Sequence, residues 1–143
     1  LKAKATIGRI EVVDLPELGM YNIKAKTDTG ADTSVLHCED FRVFEENGHR
    51  FITCHVRPHL EEDEVLTLTF PVHRERTVKS SFGHTETRHI FITKIRLFDK
   101  LYDIKLSLRD RSAMSYPMLI GRNFISGKFL VDVSQKYLGK NSL

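Results

Sequence analysis

Lys26-Thr27-Asp28-Thr29-Gly30-Ala31-Asp32-Thr33-Ser34-Val35-Leu36 carries the densest chemistry in the chain. A strand over 21–26 is expected to end at Thr27, Gly30 permits a tight turn, and a second stretch of strand-forming residues follows. An aspartate at such a strand-to-turn junction, with hydroxyls and a backbone amide beside it, is placed to hold and polarise a water. Asp-Thr-Gly alone is also an ordinary turn sequence. A second stretch adds weight. Pro117-Met118-Leu119-Ile120-Gly121-Arg122-Asn123-Phe124 is an apolar strand running into a glycine and a short polar helix start.

Working outward, strand signals dominate. Residues 90–97 and 102–108 are apolar and β-branched, and Phe98-Asp99-Lys100 separates them as a hairpin turn would. A second hairpin is expected around Asn47-Gly48, the dipeptide that best tolerates positive φ in a two-residue turn, with arms at 41–45 and 50–56. Further strands are expected at 6–13, 65–72 and 128–133. The best helical segment is short, about 122–126, between Gly121 and Gly127. Pro58, Pro71 and Glu61-Glu62-Asp63-Glu64 mark a loop rather than a domain boundary. These signals predict one all-β domain over 1–143, a barrel or a closed sandwich.

With 41% apolar and 29% charged residues, the chain has the composition of a globular domain and not of a disordered tail. No apolar run approaches the roughly 20 residues that a membrane-spanning helix needs, so membrane insertion is not expected. Twenty-two Lys and Arg against 19 Asp and Glu leave +3, too small and scattered an excess to predict nucleic-acid binding, although it suits an acidic partner. Cys38 and Cys54 are too few for a disulfide framework. Two buried thiols in a reducing cytoplasm is the favoured reading, with one disulfide as the alternative. Because the chain begins at Leu1, a removed leader leaves a periplasmic or secreted location open.

Asp28-Thr29-Gly30-Ala31-Asp32 together with Leu119-Ile120-Gly121-Arg122-Asn123 resembles the paired signature of retropepsin-like aspartic peptidases. That resemblance implies a closed β-barrel of the acid-protease fold with one short helix after Leu-Ile-Gly. A closer resemblance covers nearly the whole chain. Ile7-Gly8-Arg9, Leu15-Pro16-Glu17-Leu18-Gly19, Ile23-Lys24-Ala25-Lys26, Val78-Lys79-Ser80-Ser81-Phe82-Gly83-His84 and Phe129-Leu130-Val131-Asp132 look like the bacterial family labelled ATP-dependent zinc proteases. Some members of that family are associated with ATP-grasp ligases that add glutamates to a ribosomal protein. The residues support neither half of the label. The nearest match to a phosphate loop, Gly121 to Lys128, has the wrong spacing, and no His-Glu-x-x-His occurs. No cofactor is expected. A scattered zinc site from His37, Cys38, Cys54, His55 and His59 stays as a minor alternative.

Amide hydrolysis by carboxylates needs two of them about one water apart and sharing a proton. One Asp-Thr-Gly per chain then demands a two-fold homodimer, with Asp28 meeting Asp28 of a second copy. The resemblance implies Asp28 as the catalytic carboxylate, Thr29 bracing the paired loops and Gly30 bringing backbone close to a peptide substrate. Ala31 belongs to the same loop, and Asp32 is expected to form an ion pair with Arg122.

The 91 residues from Gly30 to Gly121 exceed the span in compact viral retropepsins. Residues 41–90 therefore hold either a remodelled flap around Ser80-Ser81-Phe82-Gly83 or an inserted hairpin with another role. If a strand starts at Gly83, then His84, Glu86 and Arg88 share one face. With Lys79, Ser80 and Ser81 they form a candidate substrate surface, and the nearby cations Arg74 and Arg76 give it a preference for acidic, glutamate-rich peptides. The rival readings are a noncatalytic peptide-binding module on the same fold and, less favoured, a zinc hydrolase.

Overall fold

The strongest turn signals fold as the sequence predicts. In the computed structural model, which describes residues 3–79, 82–110 and 115–139, Asn47 and Gly48 take φ of 53° and 78°. They join β5 (Asp40–Glu46) to β6 (His49–Val56) with Glu46 opposite His49. Phe98 and Asp99, at φ 55° and 58°, likewise join β9 (Thr85–Leu97) to β10 (Lys100–Asp110). Two left-handed central residues match the twist of the flanking strands, which fixes the register of both hairpins.

The predicted strand at 6–13 is two strands, β1 (Ala5–Gly8) and β2 (Ile10–Leu15), divided at Arg9. Gly8 makes the division possible, because an added Cβ would sit 2.4 Å from the Gln135 carbonyl oxygen. After β3 (Met20–Asp28) come β4 (Ser34–Cys38), the β5–β6 hairpin, β7 (Leu66–Pro71) and β8 (Arg74–Lys79). β11 (Met118–Gly121), a short helix α1 (Arg122–Ile125) and β12 (Phe129–Asp132) complete the described elements. The strand β8 has no counterpart in the sequence expectation. Its sequence Arg-Glu-Arg-Thr-Val-Lys is exposed on both faces, so it lacks the apolar alternation that marks a half-buried strand.

Three sheets result. β1 pairs in parallel with β12, and β5-β6-β7 form an antiparallel sheet. The main sheet runs β10-β4-β11-β3-β2-β9-β8, and β9 also pairs with β10. The chain is thus mostly β. The closed barrel implied by the resemblance is not laddered evenly: β2 meets β9 at one residue pair, Asp14 with Arg96, where the β2–β3 register shifts between Val13 and Leu15. β9 spends its length elsewhere, on β8 at 85–90 and on β10 at 90–97.

The long 41–90 span holds two structural features. β5-β6-β7 is an added sheet, and β8–β9 is a separate hairpin. The added sheet docks through Phe70, stacked on Phe91 with ring centroids 3.9 Å apart, and through Phe41 edge-on to His89. Ile52, Cys54 and Val56 of β6 thereby join Leu36, Ile95, Leu106 and Ile120 in one buried cluster.

Candidate active site

β11 builds the site by lying between two strands that the chain makes early. It pairs in parallel with β3, which sets Gly121 opposite Asp28, and antiparallel with β4, which sets Met118 opposite Leu36. The loop from Asp28 to Thr33 passes over the end of β11. The approach is close enough that a Cβ on Gly121 would lie 2.8 Å from the Thr33 carbonyl carbon and 3.0 Å from the Ala31 oxygen. Only glycine fits there. The Gly121 amide donates to Ser34 Oγ at 2.9 Å in a buried bond, and the Arg122 and Asn123 amides donate to the Ala31 and Asp32 carbonyls at 2.8 and 3.0 Å.

Asp28 is the last residue of β3 and is half-buried, while Thr29 and Gly30 are exposed. The Gly30 amide donates to Asp28 Oδ1 at 3.0 Å, and the Ala31 amide donates to the Asp28 carbonyl at 3.2 Å. Before the loop, Thr27 Oγ1 donates to the Gly8 carbonyl at 2.7 Å and pins the strand end. The carboxylate is therefore oriented by its own turn and open to solvent on the other side, as a group that works on an external molecule must be.

The expected ion pair between Asp32 and Arg122 is not formed. The Arg122 guanidinium points at the loop backbone and donates to the Thr29 and Gly30 carbonyls at 3.3 and 3.1 Å. Asp32 Oδ2 instead takes Arg76 of β8 at 2.8 Å, while Oδ1 accepts the Thr33 amide at 2.7 Å. The reason is topological, since β8 runs past the loop with a guanidinium at the right height and the Arg122 fork is already engaged. Arg76 is the main cause that holds the Asp32 carboxyl below its ordinary range; partial burial opposes it. The two motifs are tied together as expected, but by carbonyls rather than by charge.

The 79–88 segment is placed only in part. Ser80 and Ser81 lie outside the described residues. Lys79 is the exposed end of β8, and β9 starts at Thr85, so His84 precedes the strand that was expected from Gly83. Glu86 and Arg88 do share a face, 3.9 Å apart, and Arg109 approaches the same Glu86 oxygen at 3.8 Å. Sequence reasoning named Arg76 only as a nearby cation for acidic peptides, not as the partner of Asp32, and it missed Glu11. Glu11 had a signal: it shares the inward parity of Val13 in a strand whose other inward residues are apolar. Fully buried, it accepts the amides of Gly8, Leu138 and Gly139 at 2.7, 3.1 and 2.7 Å.

Among the described residues no three His, Cys, Asp or Glu side chains converge to hold a metal ion. Cys38 and Cys54 are buried and unbridged, and burial pushes both thiols up to about 12, a poor state for zinc ligands. His55 Nδ1 faces Asp40 on the surface. No helix among the described residues is long and apolar enough to cross a membrane.

Residues 6–142 match the model of the RimB-like family, described as retropepsin-like aspartic endopeptidase RimB. The chain belongs to this RimB-like family. Curated relatives include a protein of Desulfotalea psychrophila, 35% identical over 96% of this chain, and one of Parasynechococcus marenigrum, 38% identical over 90% of it. Both are named "Probable alpha-L-glutamate ligase", and the chain spans only 32% and 28% of their lengths. A solved Legionella pneumophila structure, described as a protein of unknown function, is 26% identical with a TM-score of 0.69. The likeness covers 96% of this chain and all of that one, 100%. The ligase names belong to proteins about three times the length of this chain.

Proposed function

We propose that this RimB-like chain is an aspartic peptide-bond hydrolase that works as a homodimer, each copy supplying one Asp28. The observation that carries the reading is the registration of Asp28 opposite Gly121, with the loop carbonyls tied down by Arg122. A carboxylate held by its own turn and open on one side can meet a second copy's Asp28 across a two-fold axis. One carboxylate then takes a proton from water as the water oxygen bonds to the carbonyl carbon. The other, protonated, polarises the carbonyl oxygen. Collapse breaks the C–N bond, and the proton passes to the leaving amine.

The pairing of β9 with β10 supports closure of the main sheet into the barrel of that fold. Acidic, glutamate-rich peptides fit as substrates, given the cations Arg74, Arg76 and Lys79 on β8 and relatives named for glutamate ligation. Two buried, unbridged thiols favour a reducing cytoplasm. The ligase names favour one other reading, a noncatalytic peptide-binding module that serves a ligase. Sedimentation equilibrium at pH 5 and pH 7, on the parent and on Asp28→Asn, tests the proposal together with peptide cleavage. Dimerisation whose pH dependence vanishes in Asp28→Asn, with loss of cleavage, is the expected result. A strict monomer at every concentration, or cleavage that survives Asp28→Asn, refutes it.

A further inference from the structure

The added β5-β6-β7 sheet runs straight into the strand that reaches the Asp28 loop. β7 ends at Pro71 and β8 begins at Arg74, with Val72 and His73 between them. The Val72 amide donates to the Arg50 carbonyl of β6 at 3.0 Å, and the His73 amide donates to the Ile90 carbonyl of β9 at 2.9 Å, so the connection is fixed to both sheets. β8 itself buries little. It lies at the edge of the main sheet beside β9, and of its side chains only Val78 is half-buried. β9 is shared: Ile90 pairs with Arg74 of β8 and with Ser107 of β10, and from there back to Thr85 its ladder is with β8. Residues 74–79 and 85–90 therefore form a two-stranded ribbon that leaves the sheet at Ile90. Such a ribbon is marginal by itself, so side-chain ties decide where it lies.

Two ties come from adjacent residues of β8, which point to opposite faces. On one face the Glu75 carboxylate takes the Arg50 guanidinium of β6. His89 Nε2, from the residue directly across the ladder, comes within 3.7 Å of the same oxygen, and its ring packs edge-on against Phe41 of β5. On the other face Arg76 holds Asp32 at 2.8 Å. β8 is thus gripped between the added sheet and the Asp28 loop. We propose that the β5-β6-β7 sheet is a positioning device for that loop: Arg50 holds Glu75, Glu75 sets β8, and β8 aims Arg76 at Asp32. A rigid strand with an ion pair at each face is a physical route for such coupling. Arg50, Glu75 and Arg76 are positioning residues that act through Asp32 and not on the Asp28 carboxylate. The inference deepens the peptidase reading, on which its consequence for catalysis rests, and gives the insert in the 41–90 span a task.

The test is amide hydrogen exchange at pH 7 on the full chain, followed by NMR at Thr33, Arg122 and Asn123. The Thr33 amide donates to Asp32 Oδ1, and the other two donate to loop carbonyls. Arg50→Gln and Glu75→Gln should each speed these amides about threefold, the worth of one exposed ion pair, and the double variant should be no faster than either alone. Direct electrostatics predicts a different pattern, because the two substitutions remove charges of opposite sign and would shift base-catalysed exchange in opposite directions. Arg50→Lys should restore the parental rates, and in an Arg76→Gln background neither substitution should add to the exchange. Lys94→Gln, which breaks the Lys94–Asp103 pair off this route, should leave the loop amides unchanged. Opposite shifts, additive effects in the double variant or unchanged loop exchange overturn the relay. A speed-up shared by the β2–β3 amides overturns it too, since it would mark a global loss of stability. In peptide cleavage, Arg50→Gln should lower kcat about threefold at unchanged KM. A chain that shows the exchange coupling and cleaves no peptide refutes the peptidase reading alone, and one that cleaves without the coupling refutes the relay alone.

Discussion

Replacing Gly121 by alanine tests the physical basis of the site more sharply than removing Asp28, because it adds one methyl group where the structure has no room. The new Cβ would lie 2.8 and 2.9 Å from the Thr33 carbonyl carbon and oxygen and 3.0 Å from the Ala31 oxygen. Non-bonded carbon contacts settle near ~3.5–4.0 Å, so the overlap is roughly 0.7 Å or more against backbone that cannot rotate away. Overpacking of this kind costs about 1–3 kcal/mol. Relief requires β11 and the loop to separate, which strains the amide bonds from Gly121, Arg122 and Asn123. Losing one or two of them adds about 1 kcal/mol each, for a total of about 2–5 kcal/mol. For a chain of this size that lowers Tm by roughly 6–15 °C. Gly30→Ala is the internal control. Its only close contact is Asp28 Oδ1 at 3.2 Å, so it should cost under ~1 kcal/mol in stability while disturbing the carboxylate itself. Thermal and urea unfolding by circular dichroism, with amide exchange at Arg122 and Asn123, reads the difference. If Gly121→Ala melts within about 2 °C of the parent and both amides stay protected, the claim that β11 fixes the Asp28 loop is wrong.

Glu11→Ala would leave three amides, two of them buried, without an acceptor and should cost about 3–5 kcal/mol, freeing the 135–139 segment to early proteolysis. Glu11→Gln should also destabilise, since its amide group opposes donors, and parental stability in either variant would contradict the burial. With both thiols pushed up to about 12, Cys38 and Cys54 should be only about one part in ten thousand thiolate at pH 8, so iodoacetamide should label the protein after unfolding and not before. Rapid labelling of the folded chain would show that they are reachable. The Asp32 carboxyl, held low chiefly by Arg76, contributes stability fully above its ordinary value of 3.8 and loses it as pH falls through the lowered value. A carboxyl NMR titration should give a midpoint below 3.8 in the parent and a return towards it in Arg76→Gln. A parental midpoint at or above 3.8 would remove the tie between β8 and the loop.

The Asp28 loop, the Leu-Ile-Gly strand and both tight hairpins were legible because each is local. Positive φ at Asn47-Gly48, a glycine after an apolar run, and period-two alternation in β9 and β10 leave marks within a few residues. The paired motifs also pointed to a common site before any geometry was known, since an apolar strand ending in glycine can lie behind a turn that needs close backbone approach. β8 was not legible, because a strand exposed along nearly its whole length has a polar sequence without apolar alternation.

The amino-acid sequence by itself determined the β character, the turn that carries the candidate carboxylate Asp28, the short helix and the family resemblance, all properties of neighbouring residues and their spacing. Tertiary structure decided which charge meets which. Arg76 reaches Asp32 across 44 positions of sequence, Arg122 turns to carbonyls 92 and 93 positions away, and Glu11 closes on amides 127 and 128 positions distant. Ion pairs and buried polar contacts depend on distances of a few ångströms that strand order and register set, and neither is written in the local sequence. The same holds for Arg74, Arg76, Lys105 and Lys128, which line one cleft: they come from β8, β10 and the α1–β12 turn, and they converge only once β9 has paired with both β8 and β10.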